Sequence, residues 1–78
     1  MIIIGIYIDR QLTDRLPLQN TLTKYGNVIK TRLGLNDGPG KPSVILLQLH
    51  GDKTEIQNLI NALQKPGNIE VREMRFGE

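Results

Sequence analysis

The stretch Ile2-Ile3-Ile4-Gly5-Ile6-Tyr7-Ile8 decides the fold. Five of its seven residues are isoleucine. Branched side chains crowd the preceding helical turn at χ1, so a run this dense reads as a strand. It is apolar on both phases of the period-2 alternation. That places it inside a sheet, with both faces covered at least in part. Ile2, Ile4, Ile6 and Ile8 share one face, and Ile3, Gly5 and Tyr7 the other. The first set is large and aliphatic and suits packing under helices.

The chain beyond it reads outward from that strand. Asp9–Asp14 is a polar crossing with a cap at Thr13 or Asp14. A helix begins at Asp14–Leu16 and runs to Tyr25, with Leu18, Leu22 and Tyr25 on one stripe. Pro17 fits only if it lies in the first turn. Gly26 is expected to end this helix in the left-handed conformation. Asn27–Leu35 alternates as a second strand, with Ile29, Thr31, Leu33 and Leu35 on one phase. Val28, Lys30, Arg32 and Gly34 take the other. Asn36–Lys41 is turn chemistry too short to hold a helix, so the next strand returns as an antiparallel hairpin.

That third strand, Pro42–His50, is apolar on both phases through Val44, Ile45, Leu46, Leu47 and Leu49, and so is also central. Asp52 and Glu55 form a capping-box-like start for a second helix. Ile56, Leu59, Ile60 and Leu63 give it the clearest helical period in the chain. Lys65-Pro66-Gly67 stops it. The last strand, Asn68–Phe76, places Ile69 and Val71 on one phase, Arg72 and Met74 on the other.

The order βαββαβ with right-handed crossovers gives an α+β, ferredoxin-like sandwich. It has a four-stranded antiparallel sheet of order 4-1-3-2, with both helices on one face. The 78 residues make one domain, 1–78. A core this small supplies only about 3–5 kcal/mol. With no cysteine there is no disulfide or thiolate metal site to add to it. Oligomerisation is the expected remedy.

The uncovered face is expected to carry Ile3, Gly5, Tyr7, Val28, Val44, Leu46, Gln48 and Met74, fringed by Lys30, Arg32, Arg72 and His50. Such a patch marks an interface. Ile3, Tyr7, Val44 and Leu46 are the expected contact residues of a homo-oligomer, a symmetric dimer or higher.

Composition narrows the function classes. Ten Lys and Arg against eight Asp and Glu leave a formal charge of +2, too little to imply a polyanion partner. Tyr7, Tyr25 and Phe76 are the only aromatic residues, fewer than a nucleic-acid stacking platform uses. The N-terminus lacks a basic n-region and meets Asp9 and Arg10 directly, unlike a signal peptide. No run approaches the roughly 18 apolar residues of a membrane span. A cytoplasmic protein that binds neither membrane nor nucleic acid directly is expected.

The chemistry-bearing residues are sparse. His50 is the single histidine, and transition-metal sites want several ligands. Ser43, the single serine, lies seven residues from it in one strand, roughly 23 Å by strand rise. No nucleophile–base pair, metal site or cofactor motif results, and no enzyme is expected. Gly34, Gly38, Gly40 and Lys41 lack the spacing of a phosphate loop and read as a turn. Arg10, Lys30, Arg32, Arg72 and Arg75 read either as an anion-recognising patch or as edge charges that block aggregation.

One stretch carries a family resemblance. Tyr25-Gly26-Asn27-Val28-Ile29-Lys30-Thr31-Arg32-Leu33-Gly34-Leu35 resembles the middle of the ACT-like family of iron-only hydrogenase system regulators. Tyr25, Gly26, Ile29, Arg32, Gly34 and Leu35 match its pattern, with Leu33 where the family has Met. The resemblance implies a stand-alone regulatory, ligand-sensing or oligomerising module, which would bind a small-molecule effector or a protein partner at a subunit boundary. By analogy Asp9, Arg10, Gln11, Arg32 and Gly34 would contact that effector. The Pro-Gly turn of related amino-acid sites is absent from Asp9-Arg10-Gln11-Leu12. The His and Cys set of the nickel-sensing relatives is absent too. The alternative is a ferredoxin-like nucleic-acid-binding module, for which only Tyr7 stands on a central strand.

Overall fold

The isoleucine strand is the centre of the computed structural model, which describes residues 1–9 and 11–77. Strand β1 (Ile2–Ile8) pairs antiparallel with β3 (Ser43–Leu49) on one side and with β4 (Glu70–Arg75) on the other. Strand β2 (Ile29–Asn36) pairs antiparallel with the far side of β3. The order β2-β3-β1-β4 is the expected 4-1-3-2 read in reverse. Helices α1 (Leu16–Lys24) and α2 (Lys53–Gln64) complete the ferredoxin-like βαββαβ sandwich.

The core lies between the helices and one face of the sheet. Ile4, Ile6 and Ile8 of β1 and Ile45, Leu47 and Leu49 of β3 are buried there. Above them sit Leu18 and Leu22 of α1 and Ile56, Leu59, Ile60 and Leu63 of α2. Burying each such side chain contributes about 1.5–3 kcal/mol. Among the described residues no polar or charged side chain is buried. No helix there is long and apolar enough to cross a membrane.

Local chemistry sets the ends of the helices. Asp52 Oδ1 accepts the Glu55 amide at 3.0 Å and caps α2. Glu55 does not close the box; its carboxylate accepts from the Asn27 side chain. At α1 the Asp14 carboxylate accepts the Leu16 amide at 3.1 Å, while Arg15 holds the N-cap position without a side-chain bond. Pro17 falls in the first turn, where its missing N–H costs nothing.

Three local expectations are corrected. Gly26 does not adopt a positive φ. It opens a single 3₁₀ turn, Gly26–Val28, stacked on the end of α1. That turn delays β2 to Ile29 and carries Val28 into the core, not onto the open face. The third correction follows from a bulge. Ile29 faces Leu49 and Thr31 faces Gln48, so Lys30 is an extra residue in β2. Beyond it the phase is reversed. Thr31, Leu33 and Leu35 stand opposite Gln48, Leu46 and Val44 on the open face. Arg32 and Gly34 stand opposite Leu47 and Ile45 on the helix face.

Candidate functional site

Residues directly opposite in neighbouring strands share a face, so the register defines the open surface. It consists of three rungs. Leu35, Val44, Tyr7 and Glu70 form the first; Leu33, Leu46, Gly5 and Arg72 the second; Thr31, Gln48, Ile3 and Met74 the third. Met1 and Phe76 extend the pattern by one more pair, joined by reciprocal backbone bonds of 2.7 and 2.8 Å.

Among the described residues seven large hydrophobic ones are exposed: Met1, Tyr7, Leu16, Leu33, Leu35, Met74 and Phe76. All but Leu16 belong to this face. Leu33 and Leu35 are 52% and 47% exposed. The expected interface residues Ile3, Tyr7, Val44 and Leu46 do sit together at its centre. Leu33 and Leu35 were missed because alternation alone cannot reveal a bulge. Arg32 does not fringe the face, since it stands opposite Leu47 on the helix side. The open face's one cation on the rungs, Arg72, is held by Glu70 at 2.8 Å.

The effector residues expected by analogy divide between two recesses. Asp9 and Gln11 line a shallow one with Asp14, Pro17 and Asn68, at the start of α1. Asp9 is occupied locally, its carboxylate accepting the Gln11 amide at 3.0 Å. Arg10 lies outside the described residues. Arg32 and Gly34 line a second recess of about 460 Å³, between the start of α1 and the β2–β3 hairpin. The two pairs are therefore not brought together within one chain.

The second recess has a definite build. Its lining includes the apolar Ile8 and Ile45, together with Arg15 at the N-cap of α1, Gln19 from α1, Arg32 from β2 and Lys41 from the hairpin. Arg32 reaches over the sheet and donates to Gln19 Oε1 at 2.9 Å. The hairpin rim is shaped by a turn in which the Lys41 amide donates to the Gly38 carbonyl at 3.2 Å. Gly40 at φ 73° follows Pro39 there, the pairing a type II turn requires. A Cβ added to Gly34 would meet nothing within 4 Å, so the missing side chain helps to keep the recess open.

His50 is exposed at the end of β3, its amide bonded to the Val28 carbonyl at 2.9 Å. Among the described residues no three potential metal ligands gather.

No protein-family model matches the sequence, and comparison with curated proteins gives no match. Solved structures do resemble it. An uncharacterized protein from Thermotoga maritima, TM1266, superposes with a TM-score of 0.82 at 18% identity, over 97% of this chain and 95% of that one. The de novo designed protein Foldit4 superposes with a TM-score of 0.60 at 18% identity, over 97% and 96%. At that identity the likeness is one of fold: a small ferredoxin-like domain matched end to end.

Proposed function

We propose that this chain is a small non-enzymatic regulatory module that self-associates through the bare face of its sheet and senses a small-molecule effector. The observation that carries the reading is the gathering of six of the seven exposed large hydrophobic residues on that one face. A patch of this kind is costly to leave in water and is the usual mark of an interface. The domain measures 36 × 22 × 18 Å along its principal axes. A broad face of that size offers on the order of the 800 Å² per partner that a standard interface buries. The occupant that this supports is a second copy, meeting face to face, because apolar rungs on both sides suit sheet-on-sheet packing.

The regulatory part of the proposal draws on the ACT-like resemblance at Tyr25–Leu35 and on the built recess beside it. A nucleic-acid reading gains nothing from the open face. Arg72 is paired with Glu70, and Arg32 lies off it. Sedimentation equilibrium tests the proposal. The wild-type chain is expected to be dimeric or larger at micromolar concentration, and Leu46→Lys to shift it to monomer with its circular dichroism unchanged. A wild-type chain that stays monomeric at hundreds of micromolar would sink the reading.

A further inference from the structure

We infer that the recess between α1 and the β2–β3 hairpin binds a small anion carrying at least two negative charges. The inference rests on the effector-sensing part of the proposed function but not on its self-association. Three cations from three separate elements, Arg15, Arg32 and Lys41, line one recess of about 460 Å³. That volume lies within the range of small-molecule sites. Among the described residues none that lines the recess is Asp or Glu. Among the described residues the ion pairs Arg72–Glu70 and Arg75–Glu73 both lie on β4, so neither neutralises this cluster. Asp9, Asp14 and Asp37 adjoin the lining residues Ile8, Arg15 and Asn36 in sequence, but none of the three belongs to the lining.

The cluster is organised for recognition as well as charged. Gln19, half-buried on α1, accepts a hydrogen bond from Arg32 and so positions its guanidinium over the recess. A planar guanidinium so held offers its other N–H groups to a phosphate or carboxylate as a pair, while Lys41, lining the same recess, supplies a point charge. Gly34 lies on the helix face of β2, and the volume its side chain would occupy is empty. Ile8 and Ile45 make part of the lining apolar, which strengthens charge interactions beside it. Both phosphorylated metabolites and dicarboxylates share the required chemistry. A long polyanion is disfavoured because the cations converge on one recess and do not continue along a groove.

The test is an amide-resolved NMR titration with inorganic pyrophosphate in one arm and succinate in another. The expected result is saturable shifts confined to Arg15, Gln19, Arg32, Gly34 and residues 38–43, and the tighter arm names the anion class. Arg32→Gln should weaken binding about tenfold or more, the loss of a charge-assisted pair. Gly34→Leu, which fills open space, should abolish binding while the remaining spectrum stays native. Lys53→Gln, remote on α2, should change affinity less than about twofold, as expected for an exposed charge far from the ligand. The inference is overturned if neither anion saturates at tens of millimolar. It is equally overturned if Lys53→Gln matches Arg32→Gln, or if single-stranded RNA displaces pyrophosphate from the same residues. Sedimentation of the same samples reads self-association separately, so failure here is distinguishable from failure of the sheet interface.

Discussion

The two faces of the sheet are made from the same strands and both carry large hydrophobic side chains, yet only one is covered. On the helix side Ile4, Ile6, Leu47 and Leu49 are almost wholly buried. One residue away along the same strands, Gly5, Tyr7, Leu46 and Gln48 remain in contact with solvent. Period-2 alternation normally supplies polar residues on the outer face of such a sheet. Here Ile3, Val44 and Leu46 carry aliphatic character of β1 and β3 onto the open face, and β2 adds Leu33 and Leu35 to it. The difference teaches that hydrophobicity in this chain exceeds what its own two helices can cover. The surplus is concentrated and continuous, not scattered.

Substitutions on the two faces should therefore separate stability from association. Leu47→Ala, at a wholly buried position, should lose about 2–5 kcal/mol in urea unfolding. Leu46→Ala, its neighbour on the open side, should cost clearly less in a dilute sample. It should instead make the melting temperature less dependent on protein concentration, because the assembly it weakens stabilises by mass action. Equal losses at both positions, independent of concentration, would erase the proposed distinction. Asp52→Ala removes the cap of α2 and should cost about 1 kcal/mol, on the helix side alone. Arg72→Gln breaks an exposed pair and should change stability by less than about 1 kcal/mol.

How far the residues alone reveal this molecule differs between its parts. The centrality of β1 and β3 could be read directly, because apolar character on both phases has no other accommodation in a two-layer domain. The sheet order then followed from crossover handedness. The α2 cap was legible because Asp52 acts on its own local amides. The phase of β2 was not. Its bulge at Lys30 leaves no composition signature, and one inserted residue exchanges the faces of everything after it. That slip moved Leu33 and Leu35 to the open face and took Arg32 away from it. The candidate recess was only half legible for the same reason. Arg32 and Gly34 could be named from the resemblance. Arg15, Gln19 and Lys41 are distant in sequence, and only the reversed phase of β2 brings Arg32 over to Gln19.

The central claim is that copies of this chain meet through the open face. Isotope-filtered NMR on a mixture of ¹³C-labelled and unlabelled protein tests it most directly. The account predicts intermolecular contacts from the methyl groups of Leu33, Leu35, Val44 and Leu46 to protons of the partner copy. Methyl groups at those four positions that exchange magnetisation only with their own chain and with water would contradict it.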